Sequence, residues 1–438
     1  MRPLLGVLLA ALLVAMFAGP AAAADDVVSV ELVAVDGSTL TYDGRTHAGP
    51  LLITRHPDGL AITEQASMEQ YLHGIAEMPF SWPAEALAAQ AVAARTYVTR
   101  GMLAGRNGDE ETYGFDICAT SACQVYKGVG YVNGESGDRW RTAVDSTVDE
   151  VMLYDGYPIE AVYTSQTGSR SRSNQDVWAS DPVPYLQAVD SPEIGVAPHG
   201  TWTVSVSAHQ FVGILAAEGL DVGGSLREVV VDDPPEGEGR TRITVVTSDG
   251  TDSILAPSVR GAFNRHGDDL FPESLPARLP NGRFLPQPLP SYTYELTHVS
   301  LPPLPIDEWL PEEDRGWRDY VRFDGEGWGH GVGMSQWGAL VFADQGLDHE
   351  EILTHFYTGA VLDTAGDVVP DSVVVGLDWG RSVMHVTVEG AAELHVNGMP
   401  FVSLPGGEWR FRPAPSGIAV MGIGDTPTHV GLSARRWP

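Results

Sequence analysis

"YLHGIAEMPFSWPAEALAAQAVAARTYV", residues 71–98, carries the clearest helix pattern in the chain. Apolar positions recur at helical spacing, at Leu87, Ala91, Ala94 and Val98. Pro83 suits a first helical turn, and Ser81 or Trp82 can cap it. We therefore predict that the stretch from about 68 to 100 is helical, with enough alanine to pack very close to a neighbour.

The same stretch places an acid, Glu77, just ahead of apolar residues that include Met78, Phe80 and Trp82. Two interpretations compete. Glu77 is either a loop residue near a helix start, or an acid whose pKa is raised by its apolar flank. An acid of the second kind can donate a proton near neutral pH.

Length and composition indicate a folded, exported protein. The chain has 438 residues, of which 43% are hydrophobic, and this length suggests roughly two to three domains. Residues 1–24 combine Arg2, an apolar run and an A-x-A pattern at Ala22 and Ala24, as secretory signal peptides do. The run is short for a membrane anchor, so we expect export, and no stable membrane insertion after cleavage.

Charge and motifs exclude several classes of function. The formal net charge is −32, which argues against nucleic acid as a partner because phosphate binding needs a basic face. No G-x-S-x-G or H-E-x-x-H motif is present, which disfavours serine hydrolases of that type and zinc proteases. The only cysteines are Cys118 and Cys123. Such a close pair in an exported protein favours a disulfide, and the alternative is a metal site completed by a distant histidine.

Strand and helix patterns along the chain indicate an α+β protein. We expect an N-terminal β segment at 25–60, a central region at 61–365 and a small β unit at 366–438. Within the central region, the 200–315 portion is strand-rich and proline-rich, with one helix pattern at "AHQFVGILAAEG". Gly346 can end one helix, and Asp348 with Glu351 forms a capping-box pattern for the next.

The glycine-dense stretch "GEGWGHGVGMSQ", residues 325–336, is a candidate binding loop. It lacks the G-K-[ST] ending of a nucleotide-binding loop. Glycines permit close backbone approach to a ligand, and aromatic faces beside hydrogen-bonding groups suit sugars. The side chains concerned are Trp328, His330, Ser335, Gln336 and Trp337. The alternative for His330 is a loop histidine bonded to backbone.

Four motifs in order resemble the SpoIID/LytB family: "YLHGIAEMPFSWPAEALAAQAVAARTYV", "DICATSACQVYKG", "VYTSQTGSRSRSNQDVW" followed by "PYL", and "GEGWGHGVGMSQWGA". The resemblance covers about 60 to 360. Proteins of this family act on peptidoglycan, and its best understood enzymatic members are lytic transglycosylases. The resemblance therefore implies helices and short strands that form a groove for peptidoglycan glycan strands.

The resemblance also implies roles for individual residues. The glutamate of the family's E-M-P motif is the proposed catalytic acid/base, which is Glu77 here. The residues implied or inferred to bind substrate are Gln90, Arg95, Tyr163, Trp328, His330, Ser335 and Gln336. Some members bind zinc through two cysteines and two histidines. Thr112 and Ala122 stand where those histidines are expected, so we predict no cofactor and a disulfide between Cys118 and Cys123.

The expected reaction is cleavage of the MurNAc–GlcNAc bond to leave a 1,6-anhydroMurNAc end. One carboxyl suffices, because the C6 hydroxyl of the sugar attacks its own anomeric carbon. A hydrolytic muramidase is one alternative, and it needs a second carboxylate, for which Glu326 and Asp176 are candidates. The other alternative is a non-catalytic wall-binding modifier of another cell-wall hydrolase. The sequence leaves oligomeric state and biological setting open.

Overall fold

The computed structural model describes residues 29–132, 135–178, 180–220, 222–232, 240–279, 282–301, 319–415, 417–423 and 429–433. The predicted signal peptide, 1–24, lies outside these residues. Within the described ranges, no helix combines the length and apolar composition that crossing a bilayer requires.

The helices and strands alternate irregularly along the chain, as expected for an α+β protein. In the described residues, the helices are α1 (Met68–His73), α2 (Ala84–Ala104), α3 (Gly108–Tyr113), α4 (Glu135–Ser146), α5 (Asn174–Trp178), α6 (Ala208–Ala217), α7 (Ala256–Leu270), α8 (Gln336–Asp344) and α9 (His349–Phe356). The strands up to the middle of the chain are β1 (Ser29–Ala34), β2 (Thr39–Tyr42), β3 (Arg45–His47), β4 (Leu51–His56), β5 (Gly59–Ser67), β6 (Ile117–Cys118), β7 (Glu150–Tyr154), β8 (Tyr157–Pro158), β9 (Tyr163–Thr164) and β10 (Trp202–Ser207). The later strands are β11 (Leu226–Asp232), β12 (Arg242–Thr247), β13 (Thr251–Leu255), β14 (Thr293–Ser300), β15 (Asp319–Glu326), β16 (Met334–Ser335), β17 (Val361–Thr364), β18 (Ser372–Arg381), β19 (Met384–Val396), β20 (Met399–Ala414), β21 (Gly417–Gly422) and β22 (His429–Ser433).

The chain divides into two units. Unit 1 comprises Met1–Glu77, Gly105–Asn133 and Asp371–Pro438. Unit 2 comprises Met78–Ala104 and Gly134–Pro370.

Unit 1 is built on one large sheet with the strand order β22-β21-β20-β19-β1-β4-β5-β18-β6. β19 pairs antiparallel with β1, and β18 pairs antiparallel with β5. The C-terminal strands therefore complete a sheet that the N-terminal strands begin. This corrects the expectation of a separate small β unit at 366–438. The reason is that alternating apolar residues such as Leu32 and Val386 share one core.

Two helices replace the single helix predicted from about 68 to 100. α1 begins with a capping box formed by Ser67 and Gln70, and it ends at Gly74. A Cβ at Gly74 would clash with the ring of Tyr126, so glycine is required for this close approach. The loop that separates α1 from α2 carries Glu77.

α2 is the central helix of unit 2, and it contacts α4, β7, α8 and α9. Its residues from Ala86 to Thr96 are all buried. A helix that is enclosed on all sides needs small side chains, which explains its alanines and confirms the predicted close packing. Around this helix, β17, β7 and β8 form one small sheet, and β9 pairs in parallel with β16.

A second core of unit 2 lies in the strand-rich portion. β10-β15-β14 and β11-β12-β13 form two three-stranded sheets, and α6 and α7 pack with them. Phe211, Phe263 and Phe323 are fully buried there and contact one another. The predicted helix at "AHQFVGILAAEG" is confirmed as α6, which starts with a Ser207–Gln210 capping box.

Arg95, one of the residues predicted to bind substrate, is fully buried in α2. Its guanidinium donates to the carbonyl oxygens of Val144 and Glu150, each at 3.3 Å, and to Thr147 Oγ1 at 3.5 Å. These bonds join α2 to the end of α4 and the start of β7. Because the side chain has no exposed surface, the structure gives Arg95 a structural role.

We predict that Arg95→Met lowers the free energy of unfolding by about 2–4 kcal/mol, because carbonyl oxygens around a removed buried cation lose their donors. Arg100→Met is the matched control, since Arg100 lies on the same helix and is exposed. It should change stability by less than about 0.5 kcal/mol. Urea denaturation followed by circular dichroism measures both, and equal effects of the two substitutions would contradict the assignment.

Candidate functional site

The Glu77 carboxyl is held by a neighbouring backbone segment within unit 1. The N–H of Val125 donates to Glu77 Oε1 at 2.6 Å. On either side of this bond, Ala76 N–H donates to Val125 O at 2.9 Å and Lys127 N–H donates to Gly74 O at 2.8 Å. The loop before α2 and the segment around Val125 thus form a short antiparallel pair, and Glu77 lies at its end.

A buried carboxylate anchors that segment. Glu64 is fully buried in β5, and it accepts hydrogen bonds from Tyr126 Oη at 2.8 Å and from the N–H groups of Ala48 and Gly49 at 3.0 and 2.9 Å. His47 Nδ1 lies 2.6 Å from the same carboxylate. Burial raises the pKa of Tyr126 well above its ordinary value, so its hydroxyl remains a donor. Tyr126 follows Val125 directly, so this network fixes the position of the donor to Glu77.

The predicted disulfide between Cys118 and Cys123 is confirmed. The disulfide closes a short loop directly before the segment that holds Glu77. Cys118 is the last residue of β6, which pairs with β18. The two sulfurs are bonded to each other and cannot serve as thiolate ligands. Thr112 Oγ1 instead donates to Gly108 O, and Ala122 N–H donates to Thr120 Oγ1.

The residues of this region therefore do not supply the two cysteine and two histidine ligands of the zinc site that the resemblance led us to consider. In the described part of the chain, no group of three or more histidine, cysteine, aspartate or glutamate side chains is placed to hold a metal ion.

We predict that the double substitution Cys118→Ser, Cys123→Ser lowers the free energy of unfolding by about 2 kcal/mol, because a short closed loop no longer restricts the unfolded chain. Thermal denaturation with and without a thiol reductant measures this effect. Reduction should destabilise the wild type and leave the double variant unchanged. A wild type that is insensitive to full reduction would contradict the prediction.

The glycine-dense stretch, residues 325–336, lies in unit 2 and runs beside residues 162–167. Trp328 N–H donates to Gln166 O at 2.9 Å, and Gln166 N–H donates to Trp328 O at 3.0 Å. Further along, β16 pairs in parallel with β9. The loop is thus fixed by backbone hydrogen bonds to an inner segment of the same unit.

The glycines of this loop serve contacts within the protein. Gly329 and Gly333 have φ values of +117° and +72°, which favour glycine. A Cβ at Gly329 would clash with Thr164 Oγ1, and one at Gly333 would clash with Val162 O. We expected the glycines to let a ligand approach the backbone. At these two positions they instead make room for Thr164 and for the backbone of Val162.

His330 is bonded to backbone, as the alternative interpretation proposed. Its Nε2–H donates to Tyr163 O at 2.9 Å, and its Nδ1 accepts from Val332 N–H at 3.1 Å. Burial lowers the pKa of His330 to about 4, so the ring is neutral at pH 7. Because both ring nitrogens form hydrogen bonds to backbone, His330 stabilises the conformation of the loop. The centroid of its ring lies 5.2 Å from that of Trp178.

Ser335 is buried and is the N-cap residue of α8. Its Oγ accepts from Gly338 N–H at 3.1 Å and donates to the carboxylate of Glu193. Glu193 also accepts from the N–H groups of Thr167 and Gly168 at 2.6 and 2.8 Å. Burial raises the pKa of Glu193, although these hydrogen bonds act in the opposite direction. No motif marks Glu193 in the sequence, yet it ties the start of α8 to the inner segment.

The two predicted substrate-binding glutamines lie together. Gln336 Nε2 donates to Gln90 Oε1 at 3.1 Å, and both side chains are buried between α8 and α2.

Three aromatic side chains near the glycine-dense loop keep accessible surface. Trp178 is 42% exposed, while Tyr163 and Trp328 are partly exposed. Trp178 was not among the predicted site residues, although it lies in one of the quoted motifs.

Comparison with known proteins agrees with the motifs. A family model described as "Stage II sporulation protein" matches residues 57–154. Stage II sporulation protein D of Bacillus subtilis is 26% identical over 327 residues, which is 73% of this chain and 80% of that protein. The amidase enhancer of Bacillus subtilis is 28% identical over 304 residues, 65% of this chain and 39% of that protein. These similarities support the assignment of this chain to the SpoIID/LytB family.

An uncharacterized protein of Brachyspira hyodysenteriae is 29% identical over 328 residues, which is 74% of this chain and 73% of that protein. The part matched by the SpoIID family model contains Glu77, Val125 and the disulfide. The glycine-dense loop lies outside that match. The family model thus covers the segment in which the candidate acid is held.

His330 should make the stability of this protein depend on pH. A histidine whose pKa falls from 6.5 to about 4 on folding binds fewer protons in the folded state than in the unfolded state. Its contribution is therefore present above pH 6.5 and is lost as the pH falls toward 4. The slope reaches at most about 1.4 kcal/mol per pH unit.

The measurement is urea denaturation of wild type and His330→Gln between pH 4 and 7. The difference in stability between the two should shrink as the pH falls. His209→Gln, at an exposed position of α6, should follow the wild type at each pH. A constant difference for His330→Gln across the range would contradict the prediction.

Proposed function

We propose that this protein is an exported peptidoglycan lytic transglycosylase that cleaves the MurNAc–GlcNAc bond with Glu77 as acid and base. The observation that carries the proposal is the hydrogen bond from Val125 N–H to Glu77 Oε1. It fixes a carboxyl group of the family's E-M-P motif on a segment that a buried network anchors. The secretory signal pattern at residues 1–24 supports export, and therefore activity on the outer side of the cell membrane.

The proposed reaction needs one carboxyl group. Protonated Glu77 gives its proton to the glycosidic oxygen, and the bond from that oxygen to C1 of MurNAc breaks. The C6 hydroxyl of the same MurNAc attacks C1 and closes the 1,6-anhydro ring, and its proton passes to the Glu77 carboxylate. The acid is thereby regenerated, and no water is consumed.

The protein's contribution to this step is orientation. Intramolecular attack has a high effective concentration only when the acid is held in one place relative to the bond. The bond to Val125 limits rotation of the carboxyl group, and the Tyr126–Glu64 contact limits movement of Val125. Within unit 2 taken by itself, sugar contacts are proposed for Tyr163, Trp178 and Trp328, which keep accessible surface and whose faces can cover C–H surfaces of sugars.

A non-catalytic role is the second candidate. The Bacillus subtilis relative named "Amidase enhancer" suggests interplay with another cell-wall hydrolase. The relatives named "Stage II sporulation protein D" suggest sporulation as the setting. For a hydrolytic muramidase, the candidate second carboxylates are engaged in local contacts. Glu326 accepts from Ser169, and Asp176 accepts from Ser173.

We predict that Glu77→Gln lowers the rate of glycan cleavage by about 10²–10⁴-fold, because an amide cannot supply the proton. The assay is release of soluble fragments from purified glycan strands that lack stem peptides. Glu111→Gln is the matched control, since it changes an exposed carboxylate in the same unit. It should retain wild-type activity.

Two results would overturn the proposal. Glu77→Gln with near wild-type activity would exclude Glu77 as the acid. Wild-type protein that cleaves no glycan, but increases the rate of a separate amidase, would establish the non-catalytic role. Circular dichroism of each variant shows whether a loss of activity comes from loss of folding.

A further inference from the structure

A cavity of about 370 Å³ opens in unit 2. Residues of β11, β12 and β14 contribute to its walls, together with Tyr292 and the first residue of α7. Thr241, directly before β12, and Arg172, two residues before α5, complete the described lining. None of the residues predicted to bind substrate is among the described residues that line this cavity.

Arg172 brings a cation to the cavity without a matching anion. Its Nη1 donates to Tyr292 O at 3.2 Å, while its Nε is buried and has no hydrogen-bond partner. In the described part of the chain, no acidic side chain forms an ion pair with it. Because Nε is inaccessible, a carboxylate in the cavity can bind only to the two Nη groups, which can offer it parallel hydrogen bonds.

A second cation lies beside the same wall. The guanidinium of Arg260 lies over the ring of Tyr292, 4.3 Å from its centroid. Its Nη2 donates to Gln287 Oε1 and to Pro290 O at 2.9 and 3.0 Å, which holds it in place. In a chain with a net charge of −32, two guanidiniums around one tyrosine mark a local preference for an anion. The acid among the described lining residues is Glu295, which is exposed.

The rest of the wall is partly apolar. Val231, Ile243, Ala256 and Leu296 supply aliphatic surface, and Tyr294 closes one side by donating to Ala256 O at 3.1 Å. A pocket with a guanidinium and aliphatic walls suits a carboxylate that carries a short alkyl group. Its volume exceeds that of such a group alone, so there is room for part of an attached sugar or peptide.

The cavity is joined to the glycine-dense loop by backbone hydrogen bonds. Arg172 N–H donates to Gly331 O at 2.7 Å, and Gly329 N–H donates to Pro290 O at 3.1 Å. Pro290 lies two residues before Tyr292. The loop and the cavity wall therefore share one rigid backbone network within unit 2.

We propose that this cavity binds a 2-substituted propionate, with the carboxylate on Arg172 and the methyl group against the aliphatic wall. Peptidoglycan offers this chemistry from two sources, the lactyl ether of MurNAc and the C-terminal D-alanine of a stem peptide. That peptidoglycan supplies this propionate rests on the proposed function. The pocket itself rests on the residues that line it.

The test is ligand-observed NMR on the wild-type protein with N-acetylmuramic acid, N-acetyl-D-alanine and, as a probe without carboxylate, N-acetylglucosamine. At least one carboxylate probe should bind five- to tenfold more tightly than N-acetylglucosamine. Arg172→Gln should abolish that preference, and Arg172→Lys should keep part of it. Arg170→Gln is the matched control, because Arg170 is exposed two residues away and pairs with Asp190. Glu295→Gln should strengthen carboxylate binding a few-fold.

The outcomes separate this proposal from the proposed function. Tighter binding of N-acetylmuramic acid identifies the lactyl group as the source, and tighter binding of N-acetyl-D-alanine identifies the stem peptide. Either result supports the pocket. Wild-type protein that prefers neither carboxylate probe, or an Arg172→Gln variant with unchanged preference, overturns the pocket even if glycan is cleaved. Retained probe binding in a protein that cleaves no glycan overturns the catalytic proposal alone.

Discussion

The hydrogen bond from Val125 N–H to the Glu77 carboxyl is the contact on which the proposed activity of this protein depends. A single backbone donor gives little stability, but it fixes direction when its own position is fixed. That position is set by Tyr126, whose hydroxyl binds the buried carboxylate of Glu64. Burying Glu64 costs free energy, which the backbone donors of Ala48 and Gly49 offset. A buried acid thus holds the segment that orients the candidate catalytic acid.

In unit 2, a buried glutamate likewise stabilises the glycine-dense loop. Glu193 is buried and accepts hydrogen bonds from backbone N–H groups and from Ser335. It fixes the inner segment against the start of α8, and the loop pairs with that segment through Trp328. In each unit, a buried glutamate organises irregular backbone that carries residues of the family motifs. Such backbone has no regular ladder of its own, so it needs side-chain acceptors to stay ordered.

Features that depend on neighbours in sequence were predictable. The helix α2, the Asp348–Glu351 capping box and the Cys118–Cys123 disulfide all follow from local patterns, and the structure confirms them. Features set by distant contacts were not. Gly74 ends α1 because the Tyr126 ring lies against it, and β19 pairs with β1 across the length of the chain. Glu193 carried no signal, because a buried acid is recognisable only when its donors are known.

Lytic transglycosylation and hydrolysis differ in whether water enters the product, and this difference tests the central claim most directly. Glycan strands digested by the wild-type protein in ¹⁸O-labelled water can be analysed by mass spectrometry. We expect 1,6-anhydroMurNAc ends that contain no ¹⁸O and weigh one water less than reducing ends. Reducing ends that carry ¹⁸O would contradict this expectation, because they would show that water, and not the C6 hydroxyl, attacks the sugar.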